Sequence, residues 1–321
     1  LVWTDPANAG LDIAAGLPLP ATALDAIASD LAILGGSTGG LGIAGKGNIL
    51  VNGGFEVWQR GTSFTGLASL AYGPDRWQWV PGGTSTVNVI LEPSIIQRPG
   101  AYAMDCIYTH NASSYMQQKV ESGFIYAGQP VSVSVMLKTN TAGASVTIAD
   151  GIAGYTSSTH PGDGNWHMLT VTATLSPTAS VLDVQLNMTA SGTYTWDNAM
   201  LLWGNAPGPY IPLGAAEEFL RCQRYYEILG ESANGALIVQ GYLAASGTIY
   251  LTVPYKVRKP IVPAVTKNGT WSTANCTSTN PVIDTIGIDS VRLAINTLAA
   301  GQANAQNNAS GCTVTVSADA I

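Results

Sequence analysis

A mostly β protein is predicted for this chain, built as a jelly-roll β-sandwich followed by a second, smaller β-rich domain that one α-helix opens. Three observations predict it. Segments of five to eight residues alternate apolar and polar side chains. Turn residues such as Pro161 to Gly164 and Ser176 to Thr178 separate them. The composition is small and β-branched, with only 10% of the 321 residues charged.

In chain order, residues 1–47 read as a short helical N-terminal arm. Leu24, Ile27, Leu31 and Leu34 recur at helical spacing, and a Gly-rich hinge follows them. The hinge also matches a nucleophile elbow at Gly35, Ser37 and Gly39, and a dinucleotide fingerprint at Gly40, Gly42 and Gly45. Both motifs need a strand before them and a helix after them, and here a strand is expected to follow. Gly47 also stands where a phosphate loop needs Ser or Thr. The matches therefore carry no chemistry.

Residues 48–213 read as one sandwich domain. A strand-like apolar run from Asn48 leads into an Asn-Gly-Gly turn, and alternating segments follow at Val87–Leu91, Val131–Leu137, Ser145–Ala149, Met168–Leu175 and Val181–Met188. Residues 214–321 form the second unit. Its opening stretch, Ala215–Leu229, is predicted as a helix with Phe219, Cys222, Tyr226 and Leu229 on one face, acids in the first turn and Gly230 beyond the end.

The totals exclude several classes. With 13 Lys and Arg against 20 Asp and Glu, the formal charge is -7, which disfavours nucleic acid and anionic membranes as partners. No run of about 18 apolar residues exists to span a membrane. Cys106, Cys222, Cys276 and Cys312 are too scattered for a zinc knuckle or a redox pair, and free buried thiols are expected. A bond between Cys276 and Cys312 would need neighbouring strands.

Two stretches carry a resemblance. NILVNGGFEVWQRG over residues 48–61, followed by Asp75, Arg76 and Trp77, resembles the opening of the β-sandwich domain of bacteriophage tail-fibre and spike proteins, which is in turn similar to carbohydrate-binding modules. Tyr194 to Leu202 is similar to the closing strand of such modules. The motif Cys222, Gln223, Arg224, Tyr225, Tyr226 and Glu227 resembles the helix that opens the C-terminal tip domain of tail fibres, and the Val253–Val262 stretch agrees with it. The resemblance implies a virion fibre, on tail or head. It would be a homotrimer, attached through the arm to other virion proteins, and would recognise host-surface polysaccharide. It further implies core roles for Trp58 and Trp77, and a structural calcium held by Glu56 and Asp197. The alternative for Glu56 is an Arg partner or a cap on backbone N–H groups.

A sugar stacks its C–H face on an aromatic ring while polar neighbours take its hydroxyls. Trp79, Tyr126 and Tyr155 lie near turns or strand ends and are the expected platform, whereas Trp166 is assigned to the core with Trp58 and Trp77. Arg60, Asp75 and Arg76 are expected to form an internal ion pair. Catalysis has little support: His110, His160 and His167 lack a nucleophile in a recognisable frame, and no acid pair stands out from Asp150, Asp163 and Asp183. A non-enzymatic adhesin is therefore expected. A capsid spacer without sugar binding and a polysaccharide depolymerase are the alternatives.

Overall fold

The computed structural model describes residues 47–93, 102–230, 236–278, 281–307 and 312–319. The predicted arm and its helix lie outside the described residues. Before residue 214 the strands are β1 (Ser63–Phe64), β2 (Gln78–Gly82), β3 (Thr86–Pro93), β4 (Tyr102–Thr109), β5 (Ala112–Lys119) and β6 (Pro130–Thr139). They continue as β7 (Ser145–Ala149), β8 (Gly154–Thr156), β9 (Trp166–Thr174), β10 (Asp183–Met188) and β11 (Gly192–Trp203). Two antiparallel sheets result, ordered β1-β3-β4-β11-β6-β9 and β2-β5-β10-β7-β8. Their inward faces bury Val89, Val133, Leu137, Ile148, Leu186 and Trp196 in one core. This is the sandwich that the alternation predicts.

The segment from Asn48 is not a strand. Asn48 accepts at its amide oxygen from Leu50 N (3.1 Å) and Leu201 N (3.0 Å), and donates to Ala199 O at 2.9 Å. Asn52, at φ 58, takes Val57 N at 2.9 Å and donates to the carbonyls of Val57 and Asp75. Side-chain amides thus replace the ladder, and the chain runs irregularly along β11. A Cβ on Gly53 would lie 2.1 Å from the Ala199 carbonyl oxygen, so only glycine fits this close approach.

After the sandwich come α1 (Ala215–Gln223), β12 (Tyr226–Leu229), β13 (Ile238–Leu243), β14 (Thr248–Pro254) and β15 (Ala264–Lys267). β16 (Trp271–Ala274), β17 (Val282–Ile286), β18 (Ser290–Asn296), β19 (Gly301–Asn307) and β20 (Val314–Ser317) complete them. They form three three-stranded sheets around a second core that includes Val239, Trp271, Leu293 and Val316.

The helix is shorter than its periodicity predicts. It ends at Gln223, and Tyr226–Leu229 pairs with β20 in the register Tyr226↔Ser317 to Leu229↔Val314. Its buried residues are Glu218, Cys222 and Gln223, while Phe219 is 39% exposed, so the inward stripe differs from the predicted one. Pairing with a partner strand about ninety residues away in sequence overrides the local helical preference of Tyr226 to Leu229.

The two motifs that carry the resemblance interlock. Asp75 accepts from Arg60 at 3.0 Å and from Gln59 at 2.5 Å, and Gln59 also donates to Tyr226 O at 2.9 Å. Arg60 pairs with Asp319 and covers the Tyr226 ring at 3.7 Å, and Arg76 covers the Tyr225 ring at 3.8 Å. Glu121 receives Arg224 Nε at 2.8 Å and the Tyr225 hydroxyl at 2.7 Å. Cys222 and Tyr225 pack with Val51 and Val57. The internal ion pair is therefore present and extends into a clamp between the sandwich and the second unit. All four cysteines are free, and the thiol of Cys312 donates to Thr270 O at 2.9 Å.

Candidate functional site

The outward face of the six-stranded sheet carries the site. Core side chains Val89, Cys106, Tyr194 and Leu137 fix the parity of β3, β4, β11 and β6, so their neighbours in sequence point outward. The register then aligns one row across five strands: Ile90↔Asp105, Asp105↔Thr195, Thr195↔Lys138 and Lys138↔Trp166. Each member of the row is half-buried. From Asp105 to Trp166 the row spans three inter-strand steps, about 14 Å.

Beside the row, Ser134, Met136, Met168, Asn198, Pro209 and Tyr210 line a groove of about 290 Å³. Its floor includes the cross-strand pair Met136↔Met168, and its wall is the segment that leaves β11. Asn198, at φ 58, sits in a bulge where the β11–β6 register shifts between Asp197 and Met200, a device that re-aims side chains.

Three polar atoms on this face are shielded from water and have no hydrogen-bond partner: Asp105 Oδ1, Trp166 Nε1 and Asn198 Oδ1. A shielded polar atom left unmade costs about 1–3 kcal/mol, so such a set is expected where a ligand completes it. The carboxyl of Asp105 is raised above its ordinary value, chiefly by burial and further by Glu92, against a hydrogen bond from Thr195 and the charge of Lys138. The face thus offers two acceptors, one N–H donor, a cation and an indole within one strip.

The predicted platform residues lie elsewhere. Trp79 is only 1% exposed, edge-on to Tyr108 with ring centroids 6.0 Å apart, and paired to Met116 in the second sheet. It is a core residue, contrary to expectation, because the strand parity of β2 turns it inward despite the following Pro-Gly. Tyr126 ends a 3-10 turn (Gly123–Tyr126), and Tyr155 lies in β8 with its hydroxyl 3.5 Å from Asp150. Both are half-buried against the core, at one end of the sandwich, where Gly128 N bonds Ser176 O and Ser176 N bonds Asp150. They do not join the row. Trp77 is fully buried and donates to Asn52 O at 3.0 Å, and Trp58 donates to Phe55 O at 2.6 Å and stacks on Phe64. Trp166, assigned to the core from sequence, faces outward because it shares parity with Thr170 and Thr172, not with Leu169.

Glu56 and Asp197 share a neighbourhood: both act on the Tyr210 hydroxyl, whose pKa rises through burial first, then through Glu218, Glu56 and Asp197. Asp197 accepts from Asn198 N at 2.7 Å. A calcium takes about six to eight oxygens. Two carboxylates alone fall short of that number, so a calcium here would need backbone carbonyls or water as further ligands. Nearby, the carbonyls of Asn52, Gly53 and Phe55 accept from Trp77 Nε1, Ala199 N and Trp58 Nε1.

Asp150 and Asp163 are each engaged separately. Asp150 takes the backbone N–H of Ile152, Ala153 and Ser176, and Asp163 faces His167. Asp183 opens β10 opposite Lys119 and Ala149. Among the described residues, no helix is long and apolar enough to cross a membrane.

No family model matches the chain, and no curated protein matches it. Solved structures similar to it include the enzymatically active domain of bacteriophage CBA120 tailspike protein 4, at 13% identity and a TM-score of 0.34, over 49% of this chain and 21% of that one. The match thus spans about a fifth of the length of that domain. Two carbohydrate-binding modules from Clostridium thermocellum are also similar. A family 11 module in complex with a β-1,3-1,4-mixed-linked tetrasaccharide matches at 12% identity and a TM-score of 0.32, over 46% of this chain and 99% of that one. The C-terminal family 22 module of Xyn10B matches at 13% identity and a TM-score of 0.33, over 47% and 98%. At these scores the likenesses bear on none of the chemistry below.

Proposed function

We propose that the chain is a non-catalytic glycan-binding protein of a bacteriophage fibre, and that it holds its ligand along the Asp105–Thr195–Lys138–Trp166 row. The observation that carries this reading is the set of shielded, unpartnered atoms on that face, Asp105 Oδ1, Trp166 Nε1 and Asn198 Oδ1. Sugars present hydroxyls that both donate and accept, together with apolar C–H faces that suit an indole and methionine side chains. The resemblance of residues 48–61 and of the 222–227 motif to phage fibres supports the virion assignment. The interlock of those motifs gives both a reason to occur in one chain. The same resemblance supports a homotrimer, in which weak sites act together through avidity. Size measurement is expected to give three chains, and a monomer at micromolar concentration would count against this part.

A glycan array with fluorescently labelled protein tests the binding. At least one bacterial surface polysaccharide is expected to retain the wild-type chain, and Asp105→Asn to lower that signal by roughly tenfold, the effect of losing one charge-assisted hydrogen bond. Retention of no glycan would favour the capsid-spacer alternative. One observation favours depolymerisation instead: Asp105 has a raised carboxyl with Glu92 acting on it from the neighbouring strand. Release of oligosaccharides from a bound polysaccharide, lost in Glu92→Gln, would establish that reading.

A further inference from the structure

The loop between β8 and β9 brings His160 and Asp163 beside His167, the second residue of β9, and we propose that these three side chains bind a divalent transition metal of zinc's class. Among the described residues this is the one group of His, Cys, Asp and Glu side chains whose ligand atoms all lie within 4.8 Å of one another. Two imidazoles and one carboxylate are the donors that zinc and its neighbours prefer, whereas calcium selects oxygen alone.

The loop is held before any ion arrives. His160 N donates to Ala144 O at 2.8 Å, Gly143 N to His160 O at 3.1 Å, and Gly164 N to Thr139 O at 3.0 Å, which ties the loop to the end of β6 and the start of β7. Gly162 has φ +80, and a Cβ there would lie 2.4 Å from Ala142 N, so the close approach needs glycine. Both carboxylate oxygens of Asp163 lie 3.0 Å from His167 Nε2. The side chains of His167 and Asp163 are 38% and 41% exposed, which leaves an open side for entry and for water to complete the coordination.

His160 is fully buried, with its ring edge-on to that of His167 at a centroid distance of 4.6 Å. Its Nδ1 accepts from Gly162 N at 2.9 Å, so the ring carries its proton on Nε2, which donates to Asn165 O at 3.1 Å. Coordination through Nε2 moves the ring proton to Nδ1 and so gives up both the Gly162 N–H and the Asn165 O bonds, while the backbone bonds of His160, Gly143 and Gly164 still hold the loop. At His167 and Asp163 the metal takes the place of the contact between Nε2 and the carboxylate oxygens. The bound ion would fix the loop next to Trp166, the last residue of the row.

Calorimetric titration of the full chain, free of any polyhistidine tag, with zinc chloride tests the proposal. One site per chain is expected, with His167→Ala weakening it by at least the roughly tenfold that even an outer-sphere partner is worth. Asp163→Asn is expected to weaken it in the same direction. Cys276→Ser, which removes a half-buried thiol elsewhere, is expected to leave it unchanged. Binding no tighter than about 1 mM, or equal affinity in the wild type and His167→Ala, would overturn it. Since His167 is a surface side chain, that variant is expected to melt with the wild type, so a lost site is distinguishable from a lost fold.

Discussion

Lys259→Met is expected to destabilise the second unit severely. Lys259 Nζ lies 2.8 Å from Glu227 Oε2, both side chains are 0% exposed, and the ammonium also donates to Gln223 O. Burial lowers the Lys259 pKa while Glu227 pulls it back up. Without the ammonium, Glu227 keeps Lys256 N at 3.0 Å but loses its countercharge. Breaking a buried pair from one side costs about 3–5 kcal/mol. For a unit of this size each kcal/mol moves Tm by about 4–8 °C, so a fall of about 12–40 °C is expected in calorimetry. The double variant Glu227→Gln with Lys259→Met removes the stranded charge and is expected to recover much of that loss. A Lys259→Met protein within about 1 kcal/mol of wild type would refute the reasoning, since that is the worth of an exposed pair.

Other outcomes follow from burial. Asp75 is raised by burial from 3.8 to about 6, against Arg60 and Gln59. The folded chain therefore keeps a proton that the unfolded chain loses first; the stability is fully present below pH 3.8 and is lost as pH rises through about 6. Thermal melts from pH 4 to 7 are expected to fall less steeply in Asp75→Asn than in the wild type, and parallel slopes would contradict the assignment. Trp79→Ala is expected to cost about 3–5 kcal/mol of sandwich stability in urea unfolding, as a core truncation does. Unchanged stability with lost glycan binding would instead restore Trp79 as a platform.

Much of the sandwich was legible because period-two alternation is a local signal. β6, with Val131, Val133, Val135 and Leu137 inward, announces its own parity. What a strand faces across the sheet is not local. Asp105, Lys138, Trp166 and Thr195 come from four segments, and only the register brings them into one row. Trp166 shares its parity with Thr170 and Thr172, and so points outward rather than into the core that the sequence reading assigns it to. The helix overran for a related reason: Tyr226 and Leu229 also satisfy helical spacing, and only β20 decides for a strand. The run from Asn48 reads as a strand in sequence because nothing local shows that the side-chain amides of Asn48 and Asn52 take the place of a ladder.

The most direct test is to determine where a bound oligosaccharide sits, by crystallography or by NMR shift mapping with the glycan that the array selects. The sugar is expected across β4, β11, β6 and β9, with a hydroxyl on Asp105 Oδ1 and another on Trp166 Nε1. Density or shifts confined to the Tyr126 and Tyr155 end, or to the sheets after residue 214, would contradict the account.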